Sequence, residues 1–126
     1  MRSWLKDSSV REMAPTEAAW LAGFLDGEGS LTHYRSGRNG KYRSWILSIT
    51  NTHKGSLDYC QHVTGAGVVK LKRRNNVPAH WKVSYQWQIT AQRKIVDILK
   101  QLQSFLVIKR EKADDFLSTW QNINSS

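Results

Sequence analysis

The chain predicts an α+β domain, a curved four-stranded antiparallel sheet with helices packed on one face. Three observations carry this. Apolar residues recur at helical spacing in four stretches, alternating stretches come in two pairs joined by turn-rich loops, and helix and hairpin follow one another twice. The order is α-β-β-α-β-β-α-α, and a sheet covered on one face by its helices is the economical way to bury it. At 126 residues and 40% apolar content, the chain is expected to form one core.

Residues 1–14 mix charges and serines and read as a flexible arm or short leading helix. The domain is expected over 15–122, with a disordered tail at 123–126. Pro15-Thr16-Glu17 signals a helix start with Thr16 as N-cap. That helix is expected to run to about Asp26, with Gly27 and Gly29 ending it. In "GSLTHYRSGRNGKYRSWILSIT", Ser30, Thr32 and Tyr34 alternate with Leu31 and His33, and Ser44, Ile46 and Ser48 with Trp45, Leu47 and Ile49. Asn39-Gly40 at its tip is a strong hairpin turn.

A second helix spans roughly Lys54 to Thr64 and stops at "GAG". A second hairpin follows, with Val69, Leu71, Val83, Tyr85, Trp87 and Ile89 on apolar faces and a loop holding Asn75, Asn76 and Pro78. Ile95, Ile98, Leu99 and Leu102 mark a third helix; Ala113, Phe116, Leu117 and Trp120 mark a fourth.

A net charge of +9 and a pI near 10.0 point to a polyanionic partner, because neutralising phosphates releases counterions. A basic surface kept for solubility and a peripheral membrane protein are the alternatives. The lone Cys60 permits no disulfide within the chain and reads as a small core residue. No apolar run is long enough to span a membrane and the first residues lack a signal-peptide core, so an intracellular setting is expected, a bacterial or phage-infected cytoplasm or an organelle. His33, His53, His62 and His80 have no zinc-site spacing among themselves or with Cys60.

Ala19, Gly23 and Gly27 fall four apart on one face of the first helix. Such a face either admits a second helix very closely or fits beneath the protein's own sheet. If the partner is a second copy, two-fold symmetry brings both helix ends together. Glu28 then stands where helix carbonyls already place negative charge. Two such carboxylates would call for a cation, Mg²⁺ being suited to carboxylate, carbonyl and water oxygens; the alternative is an ordinary acidic terminus.

Leu21-Ala22-Gly23-Phe24-Leu25-Asp26-Gly27-Glu28-Gly29 resembles the signature of the LAGLIDADG homing endonucleases. Nine contiguous positions match in type, the element order matches that family's fold, and Ile108-Lys109 leading into Ala113 resembles its C-terminal segment. One motif copy points to the single-motif, homodimeric branch. The resemblance implies a site-specific double-strand DNA endonuclease that hydrolyses phosphodiesters of a pseudo-palindromic duplex with Mg²⁺, or Mn²⁺ in its place. By it, Glu28 and the Gly27 carbonyl would bind metal, and Ala19, Gly23 and Gly27 would form the dimer seam. Asp26 would cap and orient the junction, Asn51 would position solvent, and Lys109 would polarise water or steady the phosphate. The chain departs from the pattern in carrying Glu for the usual Asp, and only His53 or Lys54 where relatives place a basic residue near Gly55. A maturase that folds intron RNA, and a DNA-binding regulator with decayed acids, are the alternatives on this scaffold.

The polar sheet face carries Thr32, Tyr34, Ser44, Ser48, Lys70, Lys72, Lys82, Ser84, Gln86 and Gln88, types suited to reading base edges from a β-ribbon. Arg35, Arg38, Lys41, Arg43, Arg73 and Arg74 lie at or near the hairpin tips, where phosphate contacts would set register.

Overall fold

The computed structural model describes residues 10–40, 42–72 and 83–124. Lys41, Arg73, Arg74, Lys82, His80, the second hairpin's loop, most of the leading arm and the last two residues lie outside that range. The elements are α1 Pro15–Glu28, β1 Gly29–Ser36, a 3₁₀ turn at Arg38–Gly40, β2 Tyr42–Asn51, α2 Lys54–Thr64, β3 Val68–Lys72, β4 Ser84–Ile89, α3 Gln92–Leu102 and α4 Arg110–Asn124. The four strands form one antiparallel sheet in the order β1-β2-β4-β3.

Helix α1 differs from expectation at both ends. Its N-cap is Ala14, whose N–H donates to Glu17 Oε1 at 2.8 Å, so Thr16 lies inside the first turn. Pro15 explains this: its locked φ suits the first helical position and it has no N–H left unsatisfied. At the other end α1 continues through Gly27 to Glu28, and Gly29 opens β1 with an extended backbone. Glycine permits a helix break without enforcing one.

Residues 10–14 are not loose. Val10 and Met13 are buried, the Arg11 N–H donates to the Thr64 carbonyl at 2.6 Å, and Gln101 bonds the Met13 N–H and the Arg11 carbonyl. The packed unit therefore begins before Pro15.

The register sorts the sheet into two faces. Leu31, Leu47 and Ile89 form one core row and Ile49, Trp87 and Val69 the next. They pack against Leu21 and Leu25 of α1, Leu57 and Val63 of α2, and Ile95, Ile98, Leu99 and Leu102 of α3. The buried Trp87 indole donates to the Ala66 carbonyl at 3.0 Å, and Gln92 bonds both the N–H and the carbonyl of Trp45, where β4 has already ended. A side-chain amide thus replaces the missing strand and leaves no orphan backbone group. Burial pushes the Cys60 thiol up to about 12, which fits a core residue and not a nucleophile.

Candidate active site and nucleic-acid interface

The end of α1 is tied to the loop before α4. Asp26 accepts the Val107 N–H on Oδ2 at 2.8 Å and the Lys109 N–H on Oδ1 at 2.9 Å. Burial alone would raise the Asp26 carboxyl, but the N–H groups of Val107, Lys109 and Ile108 and the Lys109 charge outweigh it and hold the group below its usual range. The Lys109 ammonium in turn donates to the Asp26 carbonyl at 3.1 Å, one of the helix-end acceptors with no intrahelical donor. Asp26 is thus committed to main-chain donors and fixes Lys109 two residues from Glu28. The expectation that it caps and orients this junction agrees with that geometry.

Glu28 is exposed at the last helical position, the Gly27 carbonyl beside it. Asn51 ends β2, two residues beyond Ile49, the partner of Gly29, so Asn51 and Glu28 share one end of the sheet. Asn51 Oδ1 accepts the His53 N–H at 2.8 Å, which leaves its NH₂ as a donor. His53 caps α2 through Nδ1, which accepts the Ser56 N–H at 3.0 Å, and Lys54 pairs with Asp58 at 3.0 Å. Both side chains are thus engaged at the start of α2. Among the described residues, no three His, Cys, Asp or Glu gather where they could hold a metal ion.

Ala19, Gly23 and Gly27 are exposed, and a Cβ added at Gly23 or Gly27 would meet nothing within 4 Å. Among the described residues nothing in the protomer's own sheet lies on this face, which speaks against the reading in which it fits beneath that sheet. Trp20 flanks it, its ring tilted against Phe24 at 5.2 Å and edge-on to Tyr59 at 4.8 Å. The aromatic side and the glycine side of α1 are therefore distinct.

Across the sheet, the face away from the helices carries Ser30, Thr32, Tyr34, Ser44, Ser48, Lys70, Lys72, Gln86 and Gln88, as the alternation predicts. It also carries Ile46, in the row with Ser44 and Ser48 as the alternation has it, and Tyr42, Thr50 and Val68, which sequence reasoning missed although they share the parity of those neighbours. Ser84 stands opposite Lys72 on this face yet is only 8% exposed. Arg43 falls on the helix side of its strand and pairs with Asp115 of α4 at 3.7 Å; Arg35, opposite it, donates to the Gly40 carbonyl at 3.4 Å. Strand parity moves both arginines off the open face. Arg38 stays exposed in the turn, where Gly37, Asn39 and Gly40 all take positive φ. From Gly29 to Val96 the sequence holds a single acid, Asp58, on α2 and away from the open face.

No family model matches the chain, and no curated protein matches it. Solved structures do. The homing endonuclease I-CvuI in complex with its target superposes at a TM-score of 0.70 with 22% identity, over 88% of this chain and 70% of that one. The archaeal intron-encoded homing endonuclease I-Vdi141I complexed with DNA gives 0.67 at 16% identity, over 88% and 70%. The LAGLIDADG meganuclease I-AabMI bound to uncleaved DNA gives 0.66 at 19% identity, over 86% of this chain and 38% of that one.

The chain has the LAGLIDADG homing-endonuclease fold.

Within the LAGLIDADG fold, α1 is the motif helix, its acidic end opens directly into β1, and the open sheet face begins at Ser30, two residues after Glu28. The motif end runs into the open sheet face through a few residues of backbone, and Lys109 is held to it by hydrogen bonds with Asp26. No helix among the described residues is long and apolar enough to cross a membrane.

Proposed function

We propose that this protein is a site-specific DNA endonuclease that works as a homodimer and uses a divalent cation, Mg²⁺ or Mn²⁺. The observation that carries the reading is the uncovered Ala19-Gly23-Gly27 face leading straight to an exposed Glu28, beside an open face without acids.

Two copies paired through that face around a two-fold axis bring two Glu28 carboxylates together. Glu28 and the Gly27 carbonyl are hard oxygen donors of the kind Mg²⁺ takes. Among the described residues of one protomer no three acidic, His or Cys side chains gather, so a cation held there would draw further oxygen ligands from outside the protomer. When bound, such a cation lowers the pKa of a water and offsets charge on the leaving oxygen. The chain's own residues do the rest. Lys109, held by Asp26, places a positive charge at the scissile phosphate, and the Asn51 NH₂ orients a water. Lys70, Lys72, Gln86 and Gln88 meet base edges in the major groove, and Arg38 meets the backbone.

The test is selection of bound and cleaved duplexes from a random library in Mg²⁺. Cleavage of both strands at a pseudo-palindromic site supports the proposal. Binding without cleavage in any divalent metal would support a regulator, and preference for structured intron RNA would support a maturase.

A further inference from the structure

Lys70 and Gln88 stand on adjacent strands of the open face, Lys70 opposite Gln86 and Gln88 opposite Val68. The lysine reaches diagonally, and its Nζ donates to Gln88 Oε1 at 2.9 Å. The amide orientation follows from chemistry: an ammonium has only donors, so the oxygen of Gln88 must face it.

This pairing changes what the glutamine can recognise. A free glutamine reads adenine by donating to N7 and accepting from the N6 amino group. In Gln88 one lone pair of Oε1 accepts from Lys70, whose positive charge beside the oxygen opposes an approaching amino donor, and the amide shows the groove its NH₂. Lys70 keeps two further ammonium hydrogens for the same space. The donors and positive charge of the pair therefore favour acceptors, and the base with two adjacent major-groove acceptors is guanine, through N7 and O6. The amino groups of adenine and cytosine would meet the ammonium charge and its donors and be disfavoured. Val68, beside Gln88 in the same row and 57% exposed, adds no polar group that could alter this.

We propose that the Lys70–Gln88 pair is a specificity device that reads guanine in each half-site, with Lys70 acting both as a contact and as the clamp that denies Gln88 its adenine reading. The inference rests on the proposed binding of duplex DNA by the open face and adds the identity of one base to it.

The experiment compares sites selected by the full-length wild type, Lys70→Met and Gln88→Leu from one randomised duplex library, with affinities measured on the resulting sites. The wild type should select guanine at one position per half-site, and replacing that guanine by 7-deazaguanine should weaken binding roughly 5- to 150-fold, the range of a good bidentate base contact. In Lys70→Met the preference at that position should pass from guanine to adenine, because the freed Gln88 oxygen can accept from N6. In Gln88→Leu the preference should flatten. Uniform weakening on all sequences, with base preference intact, would overturn the proposal and make Lys70 a phosphate contact. An unchanged guanine preference in Lys70→Met would overturn it as well. If the wild type bound no duplex at all, the underlying function would fall; clear duplex binding with an indifferent position fells only this inference.

Discussion

Asp26 holds Lys109 twice, its carboxylate taking the lysine N–H at 2.9 Å and its carbonyl taking the ammonium at 3.1 Å. The acid that the motif places before Glu28 is spent on main-chain donors, so it serves to position a cationic side chain. Replacing it with Asn leaves one acceptor where two were used. Asp26→Asn should lower stability by about 1 kcal/mol, below the usual range for hydrogen bonds to a charged group because the site is half exposed. It should slow cleavage while binding survives. Denaturant melts and strand cleavage run side by side check both.

The same contact has a pH signature. The folded Asp26 carboxyl titrates below its ordinary value of 3.8, so the unfolded chain binds the proton more tightly. Its contribution is complete above about pH 5 and is lost as pH falls through the unfolded and then the folded pKa. The stability gap between wild type and Asp26→Asn should accordingly close towards pH 3 and stay constant from pH 6 to 8. A gap that widened in acid would contradict the assignment.

Gly67 has φ +88, and a Cβ there would sit 2.5 Å from Trp87 Nε1 and 2.9 Å from Ile89 Cγ1. Gly65 has φ +63 at the α2 C-cap, where its N–H donates to the Gln61 carbonyl at 2.8 Å. Gly67→Ala should cost about 3 kcal/mol, from overpacking added to a left-handed backbone, and Gly65→Ala about 1 kcal/mol. Equal costs in urea unfolding would mean that the Trp87 contact is softer than its geometry.

Much of this was legible in the sequence. Binary patterning located the four helices and the four strands, since burial periodicity is written directly into residue type; α2 begins and ends where "GAG" and Lys54 indicate. Local signals failed where a neighbour in space competes. Thr16 looks like a cap, but Pro15 starts the helix earlier. Arg35 and Arg43 look like tip residues, yet strand parity turns them towards the helices. The Asp26 tether joins residues 81 and 83 positions apart. The Lys70–Gln88 clamp joins residues 18 apart through a register that spacing cannot supply.

The seam is open to a clean test, because Gly23 faces open space in the protomer. Gly23→Leu should leave the melting curve of the protomer unchanged or slightly raised, leucine being the better helix former. Sedimentation should show a monomer, with cleavage lost. A variant that stays dimeric and active would remove the Ala19-Gly23-Gly27 face from the account.

Affinity for a selected duplex should fall steeply with salt. The chain carries +9, and a dimer that neutralises six to ten phosphates would lose roughly 10³- to 10⁵-fold between 50 and 200 mM salt. Filter binding across that range measures it. A nearly flat dependence would exclude the open face as a phosphate-bound surface.

The central claim is that Glu28 holds the cation while the sheet holds the DNA, and Glu28→Gln separates the two. The substitution keeps the shape and removes the charge. Strand cleavage of a selected site in Mg²⁺, run beside binding of the same site in Ca²⁺, reads both functions on one protein. Binding should persist or tighten slightly as two negative charges leave the dimer. Cleavage should collapse by at least about 10³-fold, because a metal-activated water and its counter-charge are lost together. Lys109→Met should slow cleavage less, since it assists the reaction without creating it. Undiminished cutting by Glu28→Gln would contradict the account.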